Sequence, residues 1–257
     1  MKYYRGSLSI AVVALVGLTA LVLPQAPAAE AGSPWGAIIK HRKKQQCALA
    51  VDAAEGAFAD KGTETKRLKA IDALGACIED LASKGELEQP ARALRIGVDA
   101  IQSAPKRLVT EPWDDVSNGA RLSVERLMVD DLDGNAEQIV ACSTEILRLD
   151  PDLVEFRQHR IRAGASLGQT AEVDTRYLLD HLHDLRPVGR IKPVLVEACK
   201  TSLGQWDALE DAAGIGEDCV RNLRAQGLPA AQAEVEAIIA AHAEPVEPAD
   251  AATESEE

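Results

Sequence analysis

Glycine and proline alternate through the second half of this chain at almost constant steps. Gly134, Pro151, Gly168, Pro187 and Gly204 follow one another at 17, 17, 19 and 17 residues. Both residue types interrupt regular backbone, glycine through its conformational freedom and proline through its missing N–H. Segments of about 15 residues between such breaks are far longer than the usual strand of about 5–6 residues and match helices of three to four turns. A chain punctuated in this way can fold only as a string of short helices joined by tight turns, each burying one face against its neighbours.

The first half obeys the same logic. Cys47, Val51, Ala54 and Phe58 fall on one helical stripe, and Leu68, Ile71, Leu74, Ile78 and Leu81 make the facing stripe of a hairpin, with Cys77 beside them. "DKGT" breaks the chain between them at Gly62. A third helix opens at Pro90, tolerated in a first turn, and buries Ala91, Leu94, Val98 and Ile101. About ten helices are predicted, over 36–60, 64–83, 88–103, 116–131, 135–149, 152–166, 170–184, 188–202, 206–224 and 229–242. Apolar residues are 46% of the chain but aromatic residues only 3%, which favours close-packed helices over a β-sandwich. The fold class expected is all-α.

Both termini differ from this pattern. Lys2 and Arg5 precede the apolar run Leu8 to Leu23, Pro24 ends it, and "QAPAAEAGS" follows. A basic region, an apolar region and small residues at A-x-A spacing describe a secretory signal peptide over 1–31, cut after Ala31 or, alternatively, after Ala28. The run of 16 residues is shorter than the roughly 20 that span a bilayer, so an uncleaved membrane anchor is the lesser alternative. A periplasmic or secreted location follows. Residues 243–257 hold six acids and no base, a composition that buries no core and reads as a disordered acidic tail. Between them lie a helical hairpin or bundle over 35–104 and the punctuated helices of 113–242, separated by "SAPKRLVTEPWDD". Net charge is −13, without the basic footprint that nucleic-acid binding requires.

The glycines of the second half each begin a similar phrase, "GNAEQIV", "GQTAEV" and "GQWDAL", and two are preceded by "SLG". "ILRLDP" closes one unit and "DLRP" the next. With their period of about 34 residues, these phrases resemble a degenerate tetratricopeptide repeat over residues 117 to 224. Departures are visible: Arg157 and Pro193 stand where that family has a large aromatic, and "GIG" at Gly214 to Gly216 is expected to weaken or break the last unit's second helix. The resemblance implies a solenoid of helix-turn-helix units whose first helices line a concave groove. It would place Gln158, Arg162 and Ser166 on that groove, with Arg121 and Thr201 at similar places in neighbouring units. A guanidinium there suits a carboxylate or an acidic peptide.

"GASLG", Gly164 to Gly168, fits the pattern of a hydrolase nucleophile elbow. That elbow needs a strand before it. Here a helical pattern precedes it, so Gly168 is read as ending a helix in left-handed backbone and Ser166 as a last-turn residue. The five cysteines include no C-x-x-C pair. Cys47 and Cys77 are equidistant from Gly62, lie level in an antiparallel hairpin, and are predicted to form a disulfide. The pairing of Cys142, Cys199 and Cys219 is left open; the last two sit unevenly about Gly204, and only a break at "GIG" would swing Cys219 back. "DHLHD", Asp180 to Asp184, is read as a solvated helix end, because its two histidines point apart on a helix. "DDLDGN", Asp130 to Asn135, hints at a calcium loop, but the pattern aligned on Gly134 needs an acid at 129 and Glu at 140, and both positions are Val. "KHRKK", Lys40 to Lys44, is the only dense basic run and is read as a solvated helix segment, with lipid phosphate the alternative if the anchor is retained.

The expectation is thus an exported scaffold or adaptor that binds a protein or acidic peptide, with no catalytic residue, metal or cofactor. Its rivals are a helical-bundle ligand sensor or enzyme, and a membrane-anchored envelope protein.

Overall fold

The computed structural model describes residues 33–59, 63–104 and 110–242. The signal segment, the break at Gly62 and the acidic tail lie outside the described residues. Residues Ser33–Glu257 form a compact unit of their own. Eleven α-helices are seen among the described residues: α1 (Pro34–Lys43), α2 (Cys47–Ala54), α3 (Glu64–Lys84), α4 (Pro90–Gln102), α5 (Thr110–Asp131), α6 (Ala136–Leu149), α7 (Val154–Ser166), α8 (Glu172–Asp180), α9 (Val188–Leu203), α10 (Ala212–Ala225) and α11 (Pro229–His242). Short 3-10 turns lie at Ala57–Ala59 and Trp206–Ala208. No strand occurs among the described residues, only an isolated bridge between Leu153 and Arg186. The fold is all-α.

Every helix packs against the next one in the chain. Most also pack against the next but one: α1 on α3, α3 on α5, α7 on α9 and α9 on α11 make one row, and α2 on α4, α4 on α6 and α8 on α10 the other. Between α5 and α7, and between α6 and α8, this second-neighbour packing is looser, so the α6–α7 interface joins the two halves. The core follows the chain in three overlapping clusters. The first runs from Trp35 to Ala163, the second from Val154 to Ala198 and the third from Leu179 to Val235. The first cluster continues across the 105–109 connection, with α3 laid along α5.

Local chemistry explains most helix ends. Gly168 follows α7 at φ +70, with Gln169 N–H bonded to Gly164 C=O (2.9 Å) and Gly168 N–H to Ala165 C=O (3.0 Å). This paired-bond C-cap satisfies carbonyls that the helix leaves open, and only glycine takes that φ without strain. Gly204 differs: its φ is −65, so the last "SLG" closes its helix in right-handed backbone.

Several boundaries depart from expectation. The helix expected over 36–60 is two helices, parted where Gln45 adopts φ +56. The helix expected from 116 begins at Thr110, because Pro112 sits in its first turn, where no N–H is needed. The helix expected over 170–184 ends at Asp180. The helix expected from 206 begins only at Ala212, after the Trp206–Ala208 turn. "GIG" does not break α10. Asp211 caps the helix by accepting the Gly214 N–H at 2.9 Å, and Gly216 lies against α11, where a Cβ would come within 2.9 Å of Ile239 Cδ1. The glycine that costs helix propensity is repaid by close helix packing.

Cys47 and Cys77 form the predicted disulfide between α2 and α3, with Cα atoms 4.9 Å apart. Cys199 and Cys219 form a second, at 5.9 Å. The uneven spacing about Gly204 is absorbed by the non-helical stretch before α10, not by a break at "GIG". Cys142 is the free thiol; it is fully buried, and burial pushes its pKa up to about 12.

Candidate functional site

The helices α5, α7 and α9 carry Arg121, Gln158, Arg162 and Thr201, the residues expected to bind a partner, and α7 also carries Ser166. Helix α7 sets the centre. It turns Val154, Phe156, Arg157, Ile161 and Ala163 into the core, which leaves Glu155, Gln158, His159 and Arg162 on its other side. Gln158 and Arg162 are one turn apart and converge on a single acid of α9. Gln158 Nε2 donates to Glu197 Oε2 at 2.6 Å, and Arg162 forms a two-point ion pair with the same carboxylate, Nη2 to Oε2 at 2.8 Å and Nε to Oε1. Burial alone would raise the Glu197 pKa, but these hydrogen bonds outweigh it and hold the carboxyl below its ordinary value. Thr201 lies one turn beyond Glu197 on α9 and is half-buried.

On α5, Arg121 pairs with Glu125 one turn on, at 3.3 Å. Glu125 also acts on His159, as do Glu197, Arg162 and Arg190. Desolvation dominates there and, with the two guanidiniums, lowers the His159 pKa to about 4 against the pull of the acids. Its Nδ1 is buried and has no hydrogen-bond partner. The ring is therefore neutral at physiological pH. Arg190 extends the polar face by pairing with Glu155 at 3.3 Å.

The basic phrase "FRQHRIR" does not present a row of open guanidiniums. Arg157, which stands where the repeat family has a large aromatic, is 4% exposed. It fills the place of a large side chain by laying its guanidinium 3.3 Å over the Tyr177 ring and donating to Pro151 C=O. Its Nη1 reaches Asp174 Oδ1 at 2.8 Å, and Arg160 holds the same carboxylate through Nε (2.7 Å) and Nη2 (2.5 Å). So α8 supplies the acid for two arginines and α9 the acid for the third. Asp174 and Glu197 carry no sequence mark that would have singled them out.

Turn residues link successive hairpins. The Gln205 side chain bonds the backbone of the preceding turn, accepting from Ala171 N–H at 3.2 Å and donating to Gln169 C=O at 2.9 Å. Ser166 Oγ donates to Asp133 Oδ1 at 2.7 Å, again joining a turn to the one before it. Ser166 is thus a last-turn helical residue engaged with a carboxylate, the geometry of a link between turns. In "DHLHD", His181 ends α8 and stacks on Tyr177 at 4.1 Å. Among the described residues no group of three side chains is placed to hold a metal ion, and no helix is long and apolar enough to cross a membrane. The two disulfides point to an oxidising compartment. Comparison with protein-family models, with curated proteins and with solved structures returns no match.

Proposed function

We propose that the chain is an exported protein-binding scaffold, a degenerate tetratricopeptide-like solenoid that recognises its partner on the face built by α5, α7 and α9. One observation carries the reading: every helix packs on its first neighbour and, apart from the looser α5–α7 and α6–α8 steps, on its second neighbour along the chain, in two rows. That is the one-dimensional arrangement by which repeat proteins expose a long surface made of every other helix. The hydrogen bonds from Gln205 to the Gln169–Ala171 turn support it, because they join equivalent positions of the "SLGQ" phrase. The two disulfides support export, with the N-terminal 31 residues acting as a cleaved signal.

The binding face offers Arg121, Gln158, Arg162 and Thr201, and it carries its own acids, Glu125 and Glu197. A partner segment gains there by bridging guanidinium and carboxylate together, which suits a polar peptide with acidic groups better than a bare anion. The reading assigns the chain no catalytic residue, metal or cofactor.

Photo-crosslinking tests it. A crosslinking amino acid at Arg121 or Thr201 should capture one defined envelope protein, and the same group at Val173, exposed on the other row, should not. Capture that is equal from Val173, or absent from both face positions, would remove the assignment.

A further inference from the structure

Among the described residues, the densest run of cations without an ion pair is at the end of α1. Lys40, His41, Arg42, Lys43 and Lys44 occupy its last turn and C-cap, and Lys40, Lys43 and Lys44 are exposed. None of these five forms an ion pair among the described residues, although cations elsewhere in this acidic chain are widely paired. Cations do favour a helix C-terminus, but the partial charge there is roughly half an electron, far below four full positive charges. The helix end therefore does not account for the cluster.

The fold enlarges it. Helix α1 packs on α3, and Arg42 lies close enough to Lys84, the last residue of α3, to act on its charge. Beyond Lys84 the guanidinium of Arg126 on α5 lies over Gly85, in the space a Cβ would fill. Lys84 and Arg126 are each more than half exposed; Asp80 and Glu86 offset Lys84, and Asp130 offsets Arg126. Lys84 and Arg126 thus flank the α1 run along one edge, whose excess positive charge is that of α1 itself.

We propose that this edge, centred on Lys40, Arg42, Lys43 and Lys44, docks the protein on an anionic phospholipid surface. Four to eight clustered Lys and Arg side chains are the size of patch that binds acidic headgroups. The two disulfides put the chain in an oxidising compartment, where nucleic acid is not the standing polyanion and a membrane surface is. On the export reading proposed above, on which this inference rests, the apolar run that ends at Leu23 stands only 11 residues before Pro34, about 40 Å of extended chain at most, which brings α1 beside the bilayer as the chain is exported.

The test uses the compact Ser33–Glu257 unit, free of the apolar run, and sedimentation with vesicles of equal parts phosphatidylglycerol and phosphatidylcholine, against phosphatidylcholine alone. Binding should need phosphatidylglycerol and should disappear at about 0.5 M salt, where the screening length falls to a few ångströms. Each cation near such a surface strengthens binding roughly fivefold, so Lys40→Glu with Lys43→Glu and Lys44→Glu should weaken it by at least about 100-fold. These side chains are exposed and unpaired, and the variant should keep the wild-type circular dichroism, with the melting temperature lowered by only a few degrees through the reversed charges at the α1 C-terminus. Lys84→Glu with Arg126→Glu should also weaken binding, which a role confined to the α1 run would not produce. Equal binding to both vesicles, or full binding by the triple variant, overturns the proposal. Displacement by inorganic phosphate beyond that by chloride of equal ionic strength would overturn it in favour of a free-phosphate site. Self-association abolished by the triple variant, without vesicle binding, would overturn it in favour of the acidic 243–257 segment of a second copy.

Discussion

Asp174 is the shared acid of two arginines in the second half of the fold, and its loss should be costly. It is 6% exposed and accepts three hydrogen bonds, from Arg157 Nη1 at 2.8 Å and from Arg160 Nε and Nη2 at 2.7 and 2.5 Å. Asp174→Ala leaves two like charges side by side, one of them almost without solvent. Removing one partner of a buried pair costs about 3–5 kcal/mol, because the other charge stays desolvated. Arg160 is 22% exposed and can turn toward water, and Arg157 keeps its Pro151 and Tyr177 partners, so the lower part of that range applies, about 3 kcal/mol. Arg157→Met is the matched control. It removes a desolvated charge, keeps the volume and leaves Asp174 paired with Arg160; the Pro151 carbonyl loses its donor and the Tyr177 ring its cation, a cost of about 1–2 kcal/mol. Urea unfolding at constant m-value measures both. If Asp174→Ala costs under about 1 kcal/mol, or less than Arg157→Met, the charge argument is wrong and the arginine acts through packing alone.

Three further outcomes follow from the same structure. Cys47→Ala with Cys77→Ala opens a link across 30 residues, and Cys199→Ala with Cys219→Ala one across 20. On the chain-entropy account each should lower stability by about 3–4 kcal/mol. Unreduced protein should show a single reactive thiol, Cys142, and only after denaturation; a second thiol would refute the pairing. His159 makes stability depend on pH. Its folded pKa of about 4 lies below the ordinary 6.5. Above pH 6.5 both states hold a neutral ring and stability is full. As the pH falls the unfolded chain takes up the proton first, so stability is lost down to about pH 4 and no further, by up to about 3 kcal/mol. His159→Leu should flatten that part of the urea midpoint against pH curve, and an unchanged slope would show the ring to be solvated.

Much of this molecule was legible in its sequence. The all-α class and most helix ends follow from glycine, proline and apolar periodicity, because these act on the backbone within a turn or two of themselves. "GASLG" was readable as a helix end for that reason, and the Gly168 cap bears it out. The Cys47–Cys77 bridge was readable because a hairpin sets residues level by counting from its turn. The break at Gln45 was not, since no glycine or proline marks it. Nor was the Cys199–Cys219 bridge, which depends on where α10 begins and how it returns along α9.

The arginines mark the same divide. Arg157, Arg160 and Arg162 look alike in "FRQHRIR", yet one is sunk against Tyr177 and Asp174, one shares that acid, and one reaches across to Glu197. Local sequence decides that these side chains project from a helix. Only the packing of α8 and α9 around α7 decides which acid each meets and which guanidinium water still reaches, because burial and charge pairing belong to side chains 14 to 35 residues apart.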